Sequence, residues 1–180
     1  MFKKIGVGFL MSVLLAGLSG CTGVPDKVKP IQDFELPRYL GEWYEIARFD
    51  HSFEEGLTEV TATYSMRDDG GVKVINRGYS KEAGTWDEAE GKAYFVESAT
   101  TGHLKVSFFG PFYASYVIMA LDKEDYQYAL ITGPDKDYLW ILARTPSISK
   151  NVRAQLLEKA TAAGYDVSKL IWVEHGQVDA

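Results

Sequence analysis

The chain contains a single cysteine, Cys21, in 180 residues. One thiol closes no internal disulfide and builds no Cys-rich zinc site. Positive charge is also scarce: 19 Lys and Arg against 25 Asp and Glu leave a net charge of -6. That excludes the basic surface that would neutralise a phosphate backbone, so nucleic acid is not an expected partner. The three histidines, His51, His103 and His175, are far apart and lack partners at metal-ligand spacing. No G-x-S-x-G, H-E-x-x-H or P-loop occurs, so neither an enzyme nor a cofactor is expected. Asp68-Asp69 reads as the entry to a turn and not as a catalytic dyad. What is abundant is aromatic: 11 Tyr, 9 Phe and 4 Trp. Such residues favour strands and apolar pockets.

The first twenty residues read as an address. Lys3 and Lys4 form a positive start, and the apolar stretch from Ile5 to Leu18 follows. As a helix that stretch would be roughly 20 Å long, short of the ~30 Å hydrocarbon core of a bilayer. A basic start, a short apolar run and small residues at its end describe a secretory signal. Leu18-Ser19-Gly20-Cys21 further resembles the lipobox of bacterial lipoproteins. That resemblance implies cleavage before Cys21, a diacylglycerol on its sulfur and an acyl (palmitoyl-type) group on its new amine. Several chains hold a protein firmly where one does so marginally, at about 0.8 kcal/mol per buried CH₂. By the same resemblance, Thr22 rather than Asp after the cysteine directs the protein to the outer membrane, with the domain facing the periplasm. Removing Lys3 and Lys4 with the leader takes the charge from -6 to -8. Attachment is then expected from the lipid anchor alone. Residues 21–31, with Pro25 and Pro30, read as a tether, and residues 32–180 as one domain.

From Arg38 onward the pattern has period two. Val60, Ala62, Tyr64 and Met66 alternate with Thr61, Thr63 and Ser65, and Asp69-Gly70-Gly71 supplies a hairpin turn. Strands are expected at 42–49, 60–66, 72–77, 89–96, 104–109, 113–121, 126–132 and 138–143. Eight short strands with no helix between them predict an all-β, antiparallel up-and-down barrel or sandwich. After Pro146 the period changes. Ser149 can cap a helix whose apolar face is Val152, Leu156, Leu157, Ala160 and Ala163, with Gly164 as its stop. A short last strand over 170–173 follows. The outside of the sheet is the only surface against which one such helix can bury its face.

Gly41-Glu42-Trp43 resembles the G-x-W motif that opens the first strand of lipocalins. Asp122 and Tyr126 fall where that family carries its second motif, with Leu121 in place of its threonine. Arg144 ends the eighth strand, where the family has an arginine, and the helix follows directly. With the lipobox, the chain resembles bacterial outer-membrane lipocalins, the group similar to apolipoprotein D. The resemblance implies an eight-stranded calyx and a fatty acid or lysophospholipid ligand. It also implies a part in lipid storage or transport during envelope maintenance under stress. Trp43 is expected to close the barrel floor, with Arg144 across its indole in a structural role.

Parity counted from Trp43, matched to the family's strand pattern, nominates an inward set. It comprises Ala62, Tyr64, Val74, Asn76, Ala93, Phe95, Val106, Phe108, Tyr116, Ile118, Tyr138 and Trp140. Of these, Tyr64, Val74, Asn76, Phe95, Val106, Phe108, Tyr116 and Trp140 are the expected pocket lining: mostly apolar, with a few polar groups. Glu45 shares Trp43's parity, but a bulge would turn it outward, and a buried carboxylate needs a partner. The aromatic run Phe108–Tyr113 is expected at the open mouth. There it can admit acyl chains, touch a membrane or pair two copies of the chain as a homodimer. Two further readings stay open. One is a filled barrel that docks proteins. The other is a lipid-modifying enzyme built on Glu45, Asn76 and Tyr64.

Overall fold

The computed structural model describes residues 22–176. The leader over 1–20 and the anchor residue Cys21 lie outside the described residues. A one-turn helix α1 (Leu36–Tyr39) leads into β1 (Gly41–Arg48), β2 (Leu57–Met66), β3 (Val72–Ser80) and β4 (Thr85–Phe95). Then come β5 (His103–Ser107), β6 (Ala114–Leu121), β7 (Tyr128–Thr132) and β8 (Leu139–Ala143). Helix α2 (Lys150–Ala162), a 3-10 turn and β9 (Ile171–Trp172) complete the chain. The strands pair antiparallel in sequence order, and β1 bonds both β8 and β2, closing an eight-stranded barrel. The β2–β3 turn forms at Asp69-Gly70-Gly71. Asp69 accepts from the Gly71 amide at 3.0 Å, and Gly70 takes φ +81°. Asp69 therefore works as a turn residue, bridged to Arg67 at 2.9 Å.

Two apolar layers share the wall. The outer one holds Ile46, Ala47, Val117, Leu130, Leu139 and Ile141 together with Leu156 and Ala160 of α2 and Ala163 at its C-cap. The inner one holds Trp43, Ala62, Tyr64, Val74, Ala93, Ile118, Ile131 and Leu142. This explains why 139–142 is apolar at every position: Leu139 and Ile141 face the helix, while Trp140 and Leu142 face the lumen. Ser149 caps α2 by accepting from the Val152 amide at 3.2 Å, and Gly164 takes φ +87° at the stop.

Strand ends shift by up to four residues from the expected ranges, β4 beginning at Thr85 and β5 ending at Ser107, and three further differences shape the barrel. Tyr126 does not begin β7. It sits in the preceding turn at φ +55°, where its hydroxyl accepts from the Glu35 amide at 3.1 Å. The upper part of β2 carries a bulge, with Glu59 at φ +54°, and separates from β1. The last strand fills that gap. β9 pairs with Ala47 and Arg48 on one side, and the Glu59 amide donates to the Glu174 carbonyl at 2.9 Å on the other. Third, the described part of the expected tether, residues 22–31, lies bonded along the outside of the wall. The Ile31 amide donates to Ile118 O at 2.9 Å, and Gly102 N to Ile31 O at 2.9 Å. Val28 is buried in the outer layer. His103 Nε2 donates to the Thr22 carbonyl at 3.1 Å and Ser115 Oγ to the Gly23 carbonyl at 2.6 Å. Burial of Val28 and pairing of these backbone groups outweigh the extended solvated state that two prolines suggested.

Candidate functional site: the calyx

The closed end is built around Trp43, which is fully buried. Its indole N–H donates to Tyr39 O at 2.8 Å. The Arg144 guanidinium carbon stands 4.0 Å from the indole centre. The same guanidinium donates to Glu42 O at 2.8 Å, to Arg38 O and Leu40 O at 2.9 Å each, and to Tyr126 O at 3.3 Å. One arginine thus ties the start of β1 to the α1 segment and the β6–β7 turn, as its five donors allow. Gly41 is held at φ +95°, and a Cβ there would come within 3.4 Å of Arg144 Nη1. Asp122 organises the β6–β7 turn. Its carboxylate accepts from Glu124 N at 3.3 Å and Gln127 N at 3.2 Å.

Above the floor lies a chain of three phenols. Tyr116 Oη is 2.7 Å from Tyr39 Oη and 2.9 Å from Tyr64 Oη. Burial, the largest influence, holds all three hydroxyls above the ordinary tyrosine range, so they are neutral and can pass hydrogen bonds to one another. Tyr39 was not nominated by parity, because it lies in α1 before the first strand. Tyr64 and Tyr116 were.

The upper lumen has two unlike sides. Asn76 pairs with Ala89, Val74 with Gly91 and Ala62 with Asn76 across the β2–β4 sheet. These inward positions are small. A Cβ on Gly91 would meet the Phe108 ring at 2.8 Å, so Phe108 lies against that glycine. Facing them are Val106, Tyr116 and Trp140, packed on the inner layer and only partly buried. Phe95, expected among the pocket lining, is the last residue of β4 and packs at the closed end instead, its ring centre 6.1 Å from that of Phe34. Asn76 and Phe108 are likewise partly buried, and Ala89 is exposed, although all of these sit within or beside paired strands. Inward residues of a closed barrel keep accessible surface only where the lumen is open. Ile118, Val74, Ala62 and Ala93 are buried and pack as core beneath it.

Toward the mouth on β1, Glu45 is buried at 4% exposure and keeps Trp43's face. The bulge falls one residue later, between Glu45 and Ala47, so Arg48 also turns inward, opposite Trp140. Arg48 Nη1 donates to Glu45 Oε1 at 2.8 Å, and its Nη2 to the Glu54 and Leu57 carbonyls at 2.7 and 3.1 Å. Trp140 Nε1 donates to Glu54 Oε2 at 3.1 Å. Burial and the neighbouring Glu54 carboxyl push the Glu45 carboxyl up to about 8, against the pull of Arg48. Burial likewise raises Glu54. Two carboxyls beside one guanidinium therefore retain a proton near neutrality. Glu54 lies in the β1–β2 loop, where no periodicity could flag it. His51 stacks on Tyr138, with ring centres 4.4 Å apart, and Tyr138 in turn on Trp140 at 5.9 Å. Glu45 is thus paired with Arg48, and the Tyr64 hydroxyl with Tyr116. Among the described residues, no group of three metal-ligating side chains gathers.

A barrel closed at one end by a tryptophan–arginine plug, open at the other and flanked by one helix is the architecture of a ligand-holding calyx. The lipocalin-like domain family model matches residues 34–175, and the chain belongs to the lipocalin family. It is 56% identical over 165 residues to the outer membrane lipoprotein Blc of Vibrio cholerae serotype O1, covering 92% of this chain and 95% of that one. With Blc of Escherichia coli K12 it shares 59% over 150 residues, covering 83% and 84%. Apolipoprotein D of Mus musculus is 33% identical, covering 78% and 77%. The solved structure of insecticyanin from Manduca sexta overlays with a TM-score of 0.69 at 26% identity, covering 86% of this chain and 88% of that one. Among the described residues no helix is long and apolar enough to cross a membrane.

Proposed function

We propose that this lipocalin holds the acyl chain of a fatty acid or lysophospholipid in its calyx, at the outer membrane, for lipid storage or transport when the envelope is under stress. Membership of the lipocalin family and high identity to outer membrane lipoproteins support a lipid-binding lipoprotein in that compartment. The observation that carries the ligand class is the two-sided lumen. Asn76, Val106, Phe108, Tyr116 and Trp140 keep accessible surface inside a closed barrel, and all but Asn76 offer apolar wall to a guest. A chain entering that space exchanges water for hydrocarbon contact at ~25 cal/mol per Å² before the costs of ordering. The protonated Glu45–Glu54 pair beside Arg48 supports a polar head group held near the mouth while the tail points to the phenols. Such a site stabilises a bound lipid by shape and apolar contact and performs no bond chemistry on it. Cys21, acylated on sulfur and amine, is the anchor of this reading, with the domain on the periplasmic side.

Delipidated protein titrated with lysophospholipid tests the proposal. Saturable binding that is lost in Tyr116→Asp and Phe108→Asp, both still folded, is the expected result. Unchanged affinity in both variants would remove the calyx as the site. Absence of binding in the parent would favour a filled barrel that docks proteins.

A further inference from the structure

Residues 22–31 do not hang free, and this fixes where the chain leaves the barrel. The segment starts at the floor, where Ile31 bonds Ile118 and Gly102, and reaches Ser115 at Gly23. Along β6 that is a climb away from the β6–β7 turn and toward the β5–β6 hairpin. Ser115 stands two residues past the end of that hairpin, about 7 Å along the strand. Thr22 is bonded to His103 in the same place, and His103 Nε2 is 3.3 Å from Ser115 Oγ. Cys21 is the next residue, and consecutive Cα atoms lie ~3.8 Å apart. The chain is thus bonded to the wall at Thr22, one residue after the anchor position.

The hairpin over 108–113 is Phe-Phe-Gly-Pro-Phe-Tyr, without a charged residue. Phe109 is 82% exposed and Phe112 76%, the two most exposed large apolar side chains among the described residues. Tyr113 and Phe108 fold back, Tyr113 toward Tyr94 and Phe108 onto Gly91, so the outward pair is set apart from the packed pair. Val24, beside the anchor, is also exposed. The Lys105 ammonium lies 5.2 Å from the Tyr113 ring centre, level with the base of the hairpin. Apolar tips with a cation set behind them match a lipid surface, tails first and anionic head groups next.

Resting on the reading of Cys21 as a lipid anchor, we infer that the β5–β6 hairpin enters the same leaflet as the anchor. Phe109 and Phe112 lead, so the calyx mouth faces the bilayer. The bonded segment acts as a rigid strap that sets this orientation. The β6–β7 turn then points away, separated from the hairpin by the eight residues of β6, about 26 Å.

The test uses the full lipidated protein in vesicles of phosphatidylethanolamine and phosphatidylglycerol. An environment-sensitive fluorophore is placed at Phe112→Cys or at Asp125→Cys in the β6–β7 turn. Expected is a blue-shifted emission at 112, quenched several-fold more by lipids with brominated acyl chains than the label at 125. Water-like emission and equal quenching at both positions would overturn the inference. So would a blue-shifted 112 label that brominated lipid leaves unquenched, because that marks contact between two copies of the chain. The mass of the same preparation reports acylation of Cys21 separately: an unacylated chain removes the anchor reading, and the orientation with it. In a second pair of samples, His103→Ala with Ser115→Ala releases the strap. Quenching at 112 should fall several-fold, and unchanged quenching would overturn the strap's orienting role.

Discussion

Trp43 and Arg144 lie 101 residues apart in sequence, as 144 minus 43, yet the guanidinium carbon rests 4.0 Å over the indole. The contact is more than a cation–π pair, because the same arginine bonds four carbonyls around the barrel's closed end. Arg144→Ala should therefore cost about 2–4 kcal/mol of stability, more than the cation–π contact alone. A double-mutant cycle with Trp43→Phe, read by denaturant unfolding, should show a coupling of ~1 kcal/mol. Zero coupling would remove the plug from the account of stability.

Tyr116 is the middle of three phenols and serves both neighbours. Tyr116→Phe strands the hydroxyls of Tyr39 and Tyr64 in a buried site. A loss of about 1–3 kcal/mol is expected. Tyr64→Phe removes an end of the chain and leaves the Tyr39–Tyr116 bond intact, so it should cost less. Thermal unfolding of the two variants side by side decides the order.

The Glu45 carboxyl sits above its ordinary value of 4.5, at about 8, chiefly through burial. Between those two values the folded protein holds a proton that the unfolded chain has released. The resulting stability is fully present below about 4.5 and is lost as pH rises through about 8. Unfolding free energy should fall across that window, by on the order of 1 kcal/mol per pH unit at most. Glu45→Gln should flatten the slope. A parent protein equally stable at both ends of the window would show that the pair is ionised after all.

Gly91 gives Phe108 its resting place, since a Cβ there would sit 2.8 Å from the ring. Gly91→Val should push Phe108 into the lumen and narrow it. Affinity for long-chain lysophospholipid should drop about tenfold or more, ~1.4 kcal/mol, with short-chain affinity less affected. Titration with lipids of two chain lengths reads the difference. Equal losses would point to general unfolding of the wall.

The wall was legible because burial on alternate sides writes period two into the chain. The plug was legible because Gly41, Trp43 and Arg144 carry a family pattern. The inward set from Ala62 to Trp140 rested on parity counted from Trp43 together with the family's strand pattern. That count survived on β1 because the bulge falls after Glu45 and not before it. What escaped had no period to read. Glu54 reaches Trp140 from a loop, and Tyr39 meets Tyr116 from a single helical turn. The strap over 22–31 looked like a linker because its contacts are mostly made by backbone atoms, which composition does not register.

The splay between β1 and β2, filled by β9 and the residues after it, ties the first strand to segments made last. Tyr44 waits for Ala143, and Ala47 for Trp172. Pairings so distant along the chain form late and slowly. During synthesis the emerging polypeptide therefore has no way to seal its first strand. The wall thus stays open along its first strand until nearly all of the chain has been made.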